Sequence, residues 1–175
     1  ATRLTRLYGR PIGYSVQAFR RGTYYDHSGL SEAQIIIGCV DNPLARAEIA
    51  ASVEPTRWWV DSGNAENLGQ VLIGNAHSPD ALQGAFSPET GVCHALPLPT
   101  VQRPELLLPA AEPLVVSLPN QDDPDCAVAV QLGGQSPVIN QVMAALVLEV
   151  VRRLITGACP WMGLYLDMDR GELRA

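Results

Sequence analysis

The chain has 175 residues, 47% hydrophobic and 17% charged, a composition that suits one globular domain burying roughly 70% of its unfolded surface and argues against disorder. A net charge of −6 and a pI near 4.9, with neighbouring basic residues only at Arg20 and Arg21 and at Arg152 and Arg153, exclude a nucleic-acid or anionic-membrane binder. Apolar runs fall short of the ~18 residues a membrane helix needs, and the four dispersed cysteines, Cys39, Cys93, Cys126 and Cys159, are expected to be reduced cytoplasmic thiols.

In chain order, Leu4 and Leu7 followed by Gly9 predict the last turns of a helix and its glycine stop, which leads us to expect further chain before Ala1. Residues 14–19 read as a strand and 20–31 as a polar connection. Residues 34–40 are rich in Ile and Val with almost no alternation, the pattern of a parallel strand buried on both faces at the centre of a sheet. A short helix is expected at 44–51, a strand at 57–60, and a third strand at 69–73 that returns antiparallel. Two strands in succession thus lead into carboxylates, Asp41 and Asp61, at the carboxyl ends where open α/β sheets hold ligands.

Between residues 76 and 125 the texture changes. Nine of the fourteen prolines fall here, so a long, mostly irregular crossing segment is predicted, which suggests a functional role. Order resumes with a helix over 136–157: Ser136 can cap it, Pro137 suits the first turn, Arg152 and Arg153 complement its C-terminal dipole, and Gly157 ends it. It is apolar around much of its circumference, so one side should meet the sheet and another a second surface such as another subunit. Residues 161–175 read as strand, turn and returning strand. The fold class is therefore α/β: a Rossmann-like, mostly parallel sheet with antiparallel C-terminal strands, forming one domain over 1–175 that is incomplete at its N-terminus.

Several chemistries lack support. There is no Gly-x-Gly-x-x-Gly, so an oxidoreductase of the Rossmann type is a weak alternative. No Cys-x-x-Cys pair offers a zinc clamp, the Asp167-Met168-Asp169 run lacks the later Glu of a calcium loop, and Ser62 lacks the Gly two residues before it that a nucleophile elbow requires. His27, His77 and His94 have no sequence partner that implies acid–base catalysis.

The ordered set Asp41-Asn42-x-x-x-Arg46, then Trp59-Val60-Asp61-Ser62-Gly63-Asn64, then Gly69-Gln70-Val71, resembles the ThiF/MoeB family of adenylating proteins related to ubiquitin-activating enzymes. Cys126-Ala127, Gln135, Asn140 and Gly163-Leu164-Tyr165-Leu166 with Gly171 resemble in particular the ThiF-like proteins of the plasmid-borne PRTRC system. The resemblance spans nearly the whole chain. It implies an ATP- and Mg²⁺-dependent adenylyltransferase that activates the C-terminal carboxylate of a small ubiquitin-like or sulfur-carrier protein, working as a homodimer in the cytoplasm.

By the same resemblance, Asp41 corresponds to the aspartate that helps hold Mg²⁺ and the ATP phosphates, and Asn42 and Arg46 complete that nucleotide-site motif. Cys126 is the one candidate for a catalytic cysteine. The family's glycine-rich phosphate loop and its conserved Asn, Arg and Lys precede the strand at 14–19, so this chain reads as the C-terminal portion of such a domain. A ThiF-like binding or assembly module without nucleotide chemistry is the alternative.

Overall fold

Alternating apolar residues on strands and a 3.6-residue period on two helices assemble around one sheet in a computed structural model that describes residues 2–13, 16, 18–20, 35–55, 57–89, 92–108 and 136–175. In chain order the elements are α1 (Thr2–Tyr8), β1 (Ile35–Gly38), α2 (Pro43–Ser52), β2 (Trp58–Asn64) and β3 (Leu68–Gly74). A two-stranded hairpin, β4 (Phe86–Ser87) and β5 (Val92–Cys93), and a single turn, α3 (Pro99–Gln102), follow; then come α4 (Ile139–Ile155), β6 (Gly163–Asp167) and β7 (Glu172–Arg174). Five strands pair in the order β1-β2-β3-β6-β7.

Helices cover both faces of this sheet. Because successive side chains of a strand point to opposite sides, β2 sends Trp58 and Val60 toward α4 and Trp59 toward α2. Under α4, Val60, Val71, Ile73 and Leu164 of the strands pack against Ile139, Met143, Val147 and Val150, all at least nine-tenths buried. Under α2, Ile49 and Val53 pack against Trp59 and Leu98. Each such aliphatic side chain contributes roughly 1.5–3 kcal/mol on burial.

The helix ends follow from their sequences. Asn42 caps α2, its Oδ1 accepting the Ala45 N–H at 2.7 Å, and Pro43 occupies the first turn, where a missing N–H costs nothing. At the other end of α4, Gly157 takes a φ of +66° and donates to the Leu154 carbonyl, while Ala158 donates to the Arg153 carbonyl, the double closure that a left-handed glycine allows. Gly9 (φ +64°) ends α1 as expected.

Past the point where β6 ceases to pair with β3, residues 94–98 take over its position. The Asn75 and Ala76 N–H groups both donate to the Leu96 carbonyl, Leu98 N–H donates to the Ala76 carbonyl, and Ala76 bridges Pro97 in parallel. Gly74 permits this approach: a Cβ there would lie 1.9 Å from the Pro97 carbonyl oxygen. The buried Asn75 side chain and the Gln102 amide, which donates to both Ile73 and Pro97 carbonyls at 2.7 Å, fasten the segment down.

The α/β class, the antiparallel return of β3 and the C-terminal hairpin agree with expectation; other details differ. Within the described five-stranded sheet one strand pairing is parallel (β1 with β2) and three are antiparallel, so the sheet is mixed rather than mostly parallel. β1 ends the described sheet instead of lying at its centre, and Ile37 is exposed; its run of Ile reflects β-propensity rather than burial on both faces. Of the crossing segment expected at 76–125, residues 76–89 and 92–108 hold short proline-started turns and the β4–β5 pair joined by irregular stretches, and residues 90, 91 and 109–125 lie outside the described residues. α4 begins at Ile139, because Pro137 and Val138 form a turn before it, and Ser136 Oγ accepts only a long 3.4 Å contact from Val138 N–H. Of the strand expected at 14–19, Val16, Ala18 and Phe19 are not in a strand, and Tyr14, Ser15 and Gln17 lie outside the described residues.

Candidate functional site

β1 stops at Gly38, and the next residues, Cys39, Val40 and Asp41, carry the chain past the sheet to the head of α2. Here a groove of about 1180 Å³ opens. Its walls are the β1–α2 turn with Arg46, the end of β2 and start of β3, the Asn140–Leu148 stretch of α4, and the β6–β7 hairpin. Asp41 is exposed on this wall and Arg46 lines it from within.

The two aspartates that the sequence sets at strand ends have different fates. β2 continues through Ser62, Gly63 and Asn64, which pair with Val71, Gln70 and Gly69, so Asp61 lies inside the strand and not at its tip. Alternation turns it under α2, where it is fully buried. Arg46, one turn into α2, reaches it: Arg46 Nε donates to Asp61 Oδ2 at 3.3 Å and to Oδ1 at 3.4 Å. Burial pushes the Asp61 carboxyl up from its ordinary value, and the Arg46 charge and hydrogen bond oppose that rise.

Two glycines make room for the pair. A Cβ on Gly38 would stand 2.8 Å from Trp59 Nε1 and 3.3 Å from Asp61 Oδ1, and a Cβ on Gly63 would stand 3.2 Å from an Arg46 Nη atom. Trp59 Nε1 is itself buried and, among the described residues, is the one buried side-chain polar atom with no hydrogen-bond partner. Such an orphan donor costs roughly 1–3 kcal/mol. Polar groups that are expensive to bury are therefore gathered on the α2 side of β2, next to the groove.

Of the residues expected to form a nucleotide site, Asp41, Asn42 and Arg46 fall within this one turn, while Cys126 lies outside the described residues. Asn42 is committed to capping α2 through its side chain. The capping also consumes anion-binding capacity: Pro43 has no N–H, Ala45 N–H is bound to Asn42 Oδ1, and Arg46 N–H to the Asn42 carbonyl. Asp61 was expected at a strand end beside Asp41, and its link to Arg46 was not expected. The legible signal was the spacing: Asp61 follows the buried Trp59 by two residues, and Arg46 precedes the buried Ile49 by three, so each faces the same layer.

Cys39, exposed beside this cluster, has its thiol pushed up from the ordinary 9.0, first by desolvation and then by the Asp61 charge. His77 is tied to the Val53 carbonyl at 2.7 Å, a structural bond far from a reactive arrangement. Among the described residues no three His, Cys, Asp or Glu side chains converge as a metal cage, and no helix is long and apolar enough to cross a membrane. No protein-family model matches the chain, and no curated protein matches it.

Proposed function

We propose that this chain forms one wall of an ATP-dependent adenylating site, in the manner of the ThiF/MoeB family it resembles, and activates the C-terminal carboxylate of a small ubiquitin-like or sulfur-carrier protein. The observation that carries this reading is an exposed carboxylate, Asp41, just beyond a parallel strand and at the mouth of a groove large enough for an extended peptide tail. Mg²⁺ accepts one or two carboxylates when phosphate oxygens and water complete its shell, so a single exposed aspartate meets that demand. Asp61 does not, being spent on Arg46. The metal would offset phosphate charge while the partner's carboxylate oxygen attacks the α-phosphorus, an acyl-adenylate bond forms and the bond to pyrophosphate breaks.

In this chemistry Asp41 is the ligand, Asn42 fixes the turn that presents it, and Arg46 anchors α2 to β2. The phosphate cradle has to come from elsewhere, since the capped head of α2 offers little to a triphosphate. That same observation supports the second reading, a binding or assembly module that keeps the groove without nucleotide chemistry. A homodimer through the outward C-terminal end of α4, where Ile155 is exposed, accords with either reading, as does a cytoplasmic setting for the free thiols of Cys39, Cys93 and Cys159.

ATP–pyrophosphate exchange in the native protein, with a candidate carrier protein supplied, tests the choice. Asp41→Ala should lower exchange on the order of 100-fold while leaving the melting temperature nearly unchanged, because the side chain is exposed. Equal rates in both proteins would end the role of Asp41. Tight carrier binding with no exchange in either would establish the module.

A further inference from the structure

Arg46 spends only part of its hydrogen-bonding capacity on Asp61. Both contacts use Nε, at 3.3 and 3.4 Å, and the two terminal Nη atoms make no hydrogen bond among the described residues. The side chain is 91% buried, yet it forms part of the groove wall. A guanidinium offers five N–H donors in a rigid fork, so Arg46 brings unspent, charge-bearing donors to an otherwise confined position. Beside it, β2 carries Gly63, whose missing side chain leaves an Nη atom uncovered: a Cβ would lie 3.2 Å away and meet nothing else within 4 Å.

The Asp61 carboxylate orients this fork without blocking it. Held by Nε, the guanidinium cannot swing out to solvent, and the strand it is tied to is paired on both edges. We propose that Arg46 is the anion receptor of the groove, its Nη atoms taking a carboxylate or phosphate oxygen of the groove's ligand while Nε stays bound to Asp61. This rests on the groove being a ligand site, as the proposed function holds, but not on Asp41 holding Mg²⁺. Two sources share the required chemistry: the free carboxyl end of a peptide tail and a phosphate group.

The test is side-chain NMR of Arg46 in the ¹⁵N-labelled chain, titrated separately with tripolyphosphate, with a short neutral peptide bearing a free carboxyl end, and with the same peptide as its carboxamide. Binding at Arg46 should shift the Nη–H signals with tripolyphosphate or the free-acid peptide, and not with the carboxamide. Phosphate alone shifting them identifies the anion as a phosphate; the peptide acid alone identifies it as a peptide terminus. Since removing Arg46 strands a buried carboxylate and risks unfolding, Gly63→Ala is the working variant. It keeps the ion pair and crowds the Nη atom, and should weaken anion binding about tenfold, the worth of one hydrogen bond to a charged group.

No Nη shift with any probe, or equal affinity in Gly63→Ala, overturns the inference. Arg46 failing this test while Asp41→Ala still abolishes exchange would leave the adenylating reading standing. An Nη response together with exchange unaffected by Asp41→Ala would do the reverse.

Discussion

The face of the sheet under α4 and the face under α2 are built from the same strands but solve different problems. Under α4, eight buried apolar residues interlock, and Met143 lies directly on bare Gly69, where a Cβ would come within 2.2 Å of its sulfur. Under α2 the apolar cluster has four buried members, and beside it lie a buried ion pair and an unpaired indole N–H. Replacing a buried ion pair by apolar residues is often neutral or stabilising. A face that carries such groups beside a groove is therefore arranged for something other than stability, and the α4 face supplies the stability.

The largest effect should come from splitting the ion pair. Asp61→Leu leaves Arg46 buried without its partner and should cost about 3–5 kcal/mol in urea unfolding, whereas Asp61→Leu with Arg46→Met should recover most of that loss. If the single and double variants were equally unstable, the α2 face would be shape-limited like the other. On the α4 face, Ile139→Ala should cost about 3 kcal/mol by leaving a cavity, with no partner substitution able to rescue it. Gly38→Ala should cost about 2 kcal/mol, because the added methyl presses on Trp59 Nε1 and Asp61 and neither can retreat; a neutral result would mean that the pair has slack.

The smallest effect is one of pH, and the two regions should respond with opposite sign. Asp61 binds its proton more tightly folded than unfolded, so its contribution grows as pH falls from neutral toward the ordinary 3.8. Glu149, half-buried on α4, is drawn down to about 2 by hydrogen bonds from Arg152 and Arg153, so its contribution is present above 4.5 and is lost as pH falls toward 2. Stability–pH curves for Asp61→Asn and Glu149→Gln separate the two: the first should flatten the rise on acidification, the second the decline below 4.5. Partial exposure and salt keep the Glu149 effect modest.

How much of this could be read from sequence depended on whether the cause was local. α2 was legible as a short helix at 44–51, its start moving to Pro43 under the Asn42 cap, and the tail of α4 was legible from Gly157. The β6–β7 hairpin was legible from Asp169-Arg170-Gly171, with Gly171 at φ +65°. The end of β2 was not, because Asp61-Ser62-Gly63-Asn64 has the composition of a turn and is held as strand only by its ladder to β3. The Arg46–Asp61 contact spans fifteen residues and exists because α2 crosses back over β2, which no short window encodes. Asp41 emerged where a strand-end residue should be, exposed at the groove, while the neighbouring carboxylate expected to resemble it became a buried anchor.

The segment at 94–98 has a consequence for life in a crowded cell. Where β6 stops short, β3 would otherwise present a length of open backbone, the kind of template on which a second chain can add a strand. Residues 94–98 occupy that length, pinned by Asn75, by Gln102 and by the close crossing at Gly74. A side chain at Gly74 would push the cover away, so Gly74→Ala should show itself first as self-association at high concentration, before any loss of ligand binding.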